Sequence, residues 1–332
     1  MVGDRQGWLR CLLAGAVFVV GMTGTTLPTP LYPLYQEKFG FSELTVTVVY
    51  AVYAFGVIGV LLLAGNASDT VGRRPTLLWG LGFAAASAVC FLSADALGWL
   101  YAGRLLSGLS AGLFTGAATA YVMDLAPPGG QSRATLVATA ANMGGLGCGP
   151  LLAGLLAEYA PAPLLLPFAV HLALVAVSAV VLLRLPETVR DPRPLTAVRP
   201  QRPALPARVR PVFVPAAIAS FAGFALFGVF TSVSPAFLAR FLHVDNHAVS
   251  GLIVALAFFA STAGQLAVGR FGVSRSLPLG CAVLFAGLAF LAGALSVEVL
   301  ALDGLARGRG RARHGRWSGG GSWRGWARAA RS

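Results

Sequence analysis

Arg104 is the only full charge well inside a long apolar run of this 332-residue sequence. An ionisable group in that setting marks where chemistry should be sought first. A buried guanidinium can hold an anionic or polar ligand, or exchange protons with a neighbour. The alternative is that it snorkels to the outer surface, since it stands only a few residues inside its run. His171 lies in mid-run, where it could relay a proton or serve as a neutral histidine hydrogen-bonded between helices. Asn142 poses the same choice. The acidic residues cluster at the ends of the runs, so no carboxylate proton carrier is evident in the first or fourth. Gly108-Leu-Ser110-Ala-Gly112 fits Gly-x-Ser-x-Gly, and His171 follows two runs later. A hydrolase elbow needs a strand-to-helix turn, and Ser110 sits mid-run among glycines. Intramembrane serine protease chemistry is therefore the outside alternative. The four cysteines, Cys11, Cys90, Cys148 and Cys281, show neither paired nor metal-ligand spacing and read as small packing residues. No phosphate loop, metal cluster or dinucleotide fingerprint is present, so no cofactor is expected.

The elements that must hold these residues follow from composition. The chain is 56% hydrophobic and 11% charged, with mean hydropathy +0.74. A water-soluble chain of this length could not bury that much apolar surface, whereas lipid accepts it. A helix needs about 20 apolar residues to cross the hydrocarbon core. Nine segments qualify, near 9–31, 44–64, 75–94, 97–121, 134–158, 163–184, 212–239, 248–269 and 277–297. The first run continues past Pro28 without a convincing small-residue cleavage site, so no cleaved signal is expected. With the N-terminus inside, fourteen arginines fall in inner segments and only Lys38 and Arg240 in outer loops. That asymmetry places the N-terminus in the cytoplasm. The net charge of +13 thus reports topology and carries no expectation of a nucleic-acid partner. Arginine outnumbers lysine 24 to one, which suits a GC-rich bacterial genome; the apolar helices lead to the expectation of a bacterial inner-membrane location.

Residues 184–210 differ in kind, with seven arginines and six prolines. Proline blocks helix continuation and the charges hold the segment at the water surface. An internal repeat flanks it. Pro33-Leu-Tyr-Gln-Glu-Lys-Phe39 is echoed by Pro235-Ala-Phe-Leu-Ala-Arg-Phe241, and Gly65 by Gly269. The expected organisation is a six-helix domain at 1–184, a cytoplasmic linker at 185–210 and a partial second domain of three helices at 211–297. Residues 298–332, rich in arginine and glycine, do not read as a further span and are expected to be out of frame. A nucleic-acid-binding tail stacking through Trp317, Trp323 and Trp326 is the alternative, and it would need an even number of spans to reach the cytoplasm.

Three motifs connect this frame to a family. The loop between the second and third spans reads Gly65-Asn-Ala-Ser-Asp69-Thr-Val-Gly72-Arg73-Arg74-Pro75. It resembles the signature loop of the major facilitator superfamily (MFS), with Ala67 and Thr70 replacing the usual leucine and arginine. Pro75 suits a first helical position. The fourth span, with Arg104 followed by Gly108 and Gly112, resembles that superfamily's second motif, and glycines at this spacing share one face. The fifth span reads Gly145-Leu-Gly-Cys-Gly149-Pro150-Leu-Leu-Ala153-Gly154 and resembles the motif that marks its exporters, chiefly drug:proton antiporters. Gly-Pro there loosens the helix ladder and permits a bend. The resemblance implies an all-α integral membrane fold, complete in its N-terminal bundle and partial in its C-terminal one, rocking about a midplane cavity. It also implies a loop that latches the outward-facing state, in which Asp124 and Arg133 are expected to join Asp69 and Arg73 as a charge network. Tyr50, Tyr53 and Phe55 are candidates for apolar contacts in the cavity. The expected activity is proton-coupled efflux of a small organic compound by a monomer embedded in lipid. A metabolite or sugar importer of the same fold and a transport-inactive truncated product are the alternatives.

Overall fold

In hydrocarbon every backbone N–H and C=O must be satisfied within its own segment, so long apolar stretches fold as helices. The computed structural model describes residues 2–198, 200, 206–241, 246–271, 275, 278–287 and 289. Up to Phe271 they form one compact unit. Its helices are α1 (Val2–Thr26), α2 (Tyr32–Phe39), α3 (Glu43–Ala64), α4 (Ala67–Thr70), α5 (Arg73–Leu92), α6 (Leu97–Asp124), α7 (Gln131–Tyr159), α8 (Leu166–Arg184), α9 (Arg210–Phe241) and α10 (His247–Phe271).

Eight helical spans among the described residues are long and apolar enough to cross a membrane, α1 and α2 counting as one. The chain is a multi-pass membrane protein. Of the predicted ninth span, the described part is an apolar helix at Pro278–Gly287; residues 290–332, including the predicted tail, lie outside the described residues. Two local corrections apply. The first run is not one continuous helix, because Pro28, Pro30 and Pro33 break it into α1, a 3-10 turn at Thr29–Leu31 and α2. Pro75 is the third residue of α5, not the first, since the helix begins at Arg73. Its missing N–H still falls among the first four, which have no helical acceptor.

The core lies where α1, α5, α6, α7 and α8 meet, around Phe18, Leu77, Leu81, Phe114, Tyr121 and Leu182. A second cluster toward the outer end joins Leu27, Leu31, Tyr35, Phe91, Leu100 and Phe168, with Phe91 and Phe168 stacked at 4.6 Å between ring centroids. Large apolar side chains such as Phe55, Trp79, Val212, Phe221 and Phe224 point outward, as expected where the solvent is lipid.

Backbone-to-backbone approach brings the helices together. The Cβ that a side chain at Gly108 would carry falls 2.2 Å from the Tyr53 carbonyl of α3, and one at Gly112 falls 2.9 Å from Val60 Cβ. Helix α7 is gripped on two faces. Gly145 and Gly149 abut the Val19 and Thr23 carbonyls of α1, while Gly147 abuts Phe259 and Gly154 abuts the His247 carbonyl of α10. At Gly108, Gly145, Gly149 and Gly154 the opposing atom is a backbone carbonyl, so only a hydrogen side chain permits the approach.

Candidate functional site

Arg104 is 1% exposed. It lies about 10 Å below the outer start of α6, at 1.5 Å per residue. It does not snorkel. Its Nε donates to the Tyr32 hydroxyl, and Nη1 donates to the Thr25 carbonyl at 2.5 Å. The guanidinium carbon stands 5.3 Å from the Tyr32 ring centroid, 4.9 Å from Tyr50 and 5.8 Å from Tyr53. These faces attract a cation, each by up to about 2 kcal/mol when desolvated. Tyr50 is held by its hydroxyl bond to Thr29 Oγ1 at 3.1 Å. Nη2 is buried with no protein acceptor among the described residues. The arrangement is a cation enclosed by aromatic rings, with one N–H2 group left without a protein partner. Of the three aromatic candidates on the second span, Tyr50 and Tyr53 turn toward Arg104, and Phe55 points away at 71% exposure.

His171 is 2% exposed, and neither ring nitrogen has a protein partner. It fills a notch where Gly24 lacks a side chain; a Cβ there would fall 2.3 Å from Nε2. Beside it is a cavity of about 10 Å³, room for about one water. The cavity is lined by Gly21, Gly24 and Thr25 of α1, Ala84, Ser87 and Ala88 of α5, Ser107 and Ser110 of α6, and Phe168. Ser107 Oγ and Ser110 Oγ are also buried without partners. No carboxylate or cation lines it, and the nearest charge on the same helix is Arg104, one turn from Ser107. Thr25 ties the two places together, lining the cavity while its carbonyl accepts from Arg104. Ser110 and His171 therefore do share a cavity, as protease chemistry would require. No hydrogen bond joins them, and the space admits no peptide. Asn142 Oδ1 is buried and unpartnered as well, but Asn142 does not line the His171 cavity.

Pro150 lies inside α7. With no N–H of its own, it leaves the Leu146 carbonyl, four residues back, without its helical donor. Thr26 Oγ1 of α1 donates to that carbonyl at 2.7 Å. The repair is specific, so it makes a sharp prediction. Thr26→Val should cost about 1–2 kcal/mol of thermal stability as a buried carbonyl loses its partner. In a Pro150→Ala background, where a backbone donor returns, the same change should cost at most about a third of that. Melting curves of the four proteins in one double-mutant cycle check it. Equal costs in both backgrounds would remove the assigned role.

At the end of the bundle where α5 begins and α6 stops, Asp69 pairs with Arg73 at 2.5 Å, and Arg73 Nε reaches Asp124 Oδ2 at 3.3 Å. Arg73 Nη1 also donates to Ser68 Oγ at 2.8 Å. Asp69 is 66% exposed, so its pair contributes little to stability. Gly72 has φ +122°, which favours glycine, and a Cβ there would fall 2.7 Å from Glu187 Oε2. Gly65 ends α3 in ordinary right-handed geometry. Arg133 is exposed and forms no ion pair among the described residues, so it stays outside the expected network. Its place is taken by the segment after α8. Glu187 Oε1 accepts from the Arg73 N–H at 3.0 Å and Oε2 from the Arg74 N–H at 3.0 Å, capping α5 from a distant stretch of chain. Thr188 Oγ1 donates to Asp124 Oδ2 at 2.9 Å.

A sequence model described as Major Facilitator Superfamily matches residues 13–306. The chain belongs to this superfamily. Among curated MFS relatives, the puromycin resistance protein pur8 of Streptomyces alboniger is 34% identical over 157 residues, covering 47% of this chain and 31% of that protein. The class B tetracycline resistance protein of Escherichia coli is 31% identical over 153 residues, covering 45% and 38%. Multidrug resistance protein 2 of Bacillus subtilis is 27% identical over 156 residues, covering 47% and 39%. The matches thus span between three and four tenths of these relatives. The crystal structure of the human organic anion transporter MFSD10 (TETRAN) superposes with TM-score 0.54 at 21% identity, covering 77% of this chain and 71% of that one. That likeness concerns the fold alone.

Several supporting residues of this MFS chain escape a motif-based reading. Glu187 lies just past a helix end and looks like a solvated acid. Thr26 gives no signal except its place opposite a proline that must shed one hydrogen bond. Tyr32 precedes a proline, as a turn residue would. Glu158 accepts from the His247 N–H at 2.8 Å and lies 3.1 Å from its Nδ1, fastening the end of α7 to the start of α10.

Proposed function

We propose that the chain is a proton-coupled exporter of small, drug-like organic compounds in the bacterial cytoplasmic membrane, working as a monomer by alternating access and without a cofactor. In this reading residues 1–184 act as one half, 185–210 as the connector and 211–297 as part of the second half. The observation that carries it is the buried Arg104, which faces three tyrosine rings and keeps one unpartnered N–H2 group. Such a place suits a planar organic molecule with an acceptor group, bound by stacking and one charged hydrogen bond. The resistance proteins among its relatives, named for puromycin, tetracycline and multiple drugs, support efflux as the direction. The Gly-Pro stretch of α7 supports it too, since that stretch forms a close-packed seam with both α1 and α10. His171 is the proton site in this reading. It is a titratable group in a cavity the size of one water, tied through Thr25 to Arg104, and its charge would repel the guanidinium and loosen the aromatic cage.

The test is dye uptake by the purified chain in liposomes loaded at acid pH. A planar, uncharged dye bearing a carbonyl acceptor should accumulate inside, and a protonophore should abolish the accumulation. His171→Gln keeps a donor and an acceptor but cannot titrate near neutral pH. It should equilibrate dye without concentrating it. If the unaltered chain moves no dye, the exporter reading of residues 1–332 is wrong and the transport-inactive alternative stands. If His171→Gln concentrates dye normally, the exporter stands and only the proton site is lost.

A further inference from the structure

We infer that the groove between the cytoplasmic ends of α1 and α8 is a binding site for the headgroup of an anionic glycerophospholipid of the inner leaflet. Leu9, Arg10 and Leu13 line it from α1, and Val181, Arg184 and Leu185 line it from α8 and the residue that follows. Its volume is about 300 Å³, enough for a phosphoglycerol headgroup and the top of an acyl chain. Two arginines from neighbouring helices and Gln6 open onto it, and the other lining residues are apolar. Two charges near the Gly72 turn are already committed. Arg73 is committed to Asp69 and Asp124, and Glu187 is spent on the N-terminus of α5. Arg10 and Arg184 are exposed and have no carboxylate partner among the described residues.

The arginines supply charge for a phosphodiester, in forked geometry that one or both can use. Leu13 on α1 and Val181 on α8, each about one turn deeper than its arginine, continue the groove as hydrocarbon away from the charged mouth, and Leu9 flanks the mouth. An ion without acyl chains would leave that hydrocarbon uncovered. A zwitterionic headgroup would bring its own cation against the guanidinium pair. The occupant that satisfies both features carries net negative charge and an attached acyl chain. Basic pockets between spans on the cytoplasmic side have this property in general.

The experiment is native mass spectrometry of the full chain in a mild non-ionic detergent. Palmitoyl-oleoyl phosphatidylglycerol and phosphatidylcholine, matched in their chains, are added in equal amounts. The phosphatidylglycerol adduct should dominate. Arg10→Gln with Arg184→Gln should lower that preference by about fivefold per arginine removed, from the interfacial contribution of a single basic side chain. The corresponding double lysine variant should keep most of it. Arg5→Gln, on α1 but outside the groove, should leave it unchanged. The proposal is overturned by equal binding of the two lipids to the unaltered chain. It is also overturned if the glutamine pair keeps the preference, if Arg5→Gln erases it equally, or if equimolar inorganic phosphate displaces the lipid. Comparing the lipids on the unaltered chain decides the matter even if a variant folds poorly.

Discussion

Replacing Arg104 with methionine should reduce proton-driven dye transport at least about 100-fold while leaving the bundle folded. The two halves of that result have separate physical origins. Burying an arginine at membrane depth costs about 2.5–3.5 kcal/mol on insertion scales. The hydrogen bonds to Tyr32 and Thr25 return about 1.5–3 kcal/mol each, and the tyrosine faces add to this. No carboxylate pairs with Arg104, so its removal strands no buried charge. The balance runs from near zero to several kcal/mol in favour of the arginine, so melting must be measured beside transport. A loss of transport larger than the change in melting accounts for is then due to what Arg104 binds. Arg104→Lys keeps the charge but lacks the flat fork that reaches Tyr32 and Thr25 together, and it should recover less than a tenth of the transport. Dye uptake and thermal melting on the same preparations separate the outcomes. Unchanged transport by the methionine variant would end the case for this site. A variant that cannot fold would show that the guanidinium is structural.

Gly108→Val should be the most damaging single change to the fold, and Gly116→Ala among the most benign. Both residues belong to α6, and with Gly112 they recur every four positions. By spacing alone they are equivalent. At Gly108 an added Cβ would stand 2.2 Å from the Tyr53 carbonyl, a backbone atom that cannot swing aside. At Gly116 nothing lies within 4 Å. Helix α3 would have to move off α6, taking Tyr50 and Tyr53 away from Arg104. Overpacking of this kind costs about 3 kcal/mol or more, so the variant should fail to accumulate in membranes or should melt far below its parent. Gly116→Ala should fall within about 0.5 kcal/mol of the parent, or gain slightly from helix propensity. Comparable accumulation of the two variants would show that the α3–α6 contact tolerates separation.

The same pair of glycines shows what was legible in the sequence. Helix positions and charge asymmetry carry their own signal, because a span's length and the location of its arginines are fixed by the membrane itself. The predicted run at 44–64 emerges as Glu43–Ala64, and 97–121 as Leu97–Asp124. The division of the first run into α1 and α2 was present in its prolines but hidden by its continuous hydropathy. Residue types at the site were legible too: Arg104 and His171 stand out as polar groups among apolar ones. Their partners were not. Tyr32 lies 72 positions from Arg104, and Thr26 lies 120 from Leu146. Those pairings depend on how helices rotate about their axes, a quantity that periodicity constrains weakly when every face is apolar. Arg133 shows the converse. Its type and loop matched the expected network, but its side chain points into water while Glu187 and Thr188 bind the loop.

The attachment after α8 also sets how far the connector can reach. Glu187 and the Arg193 N–H, which donates to the Thr70 carbonyl at 2.7 Å, fasten the beginning of this segment to the loop before α5. Residues 194–209 separate this anchor from α9, and sixteen residues reach about 55 Å at full extension. Tension drawn through it by α9 would be felt first at Thr70 and the turn at Gly72, rather than at the end of α8.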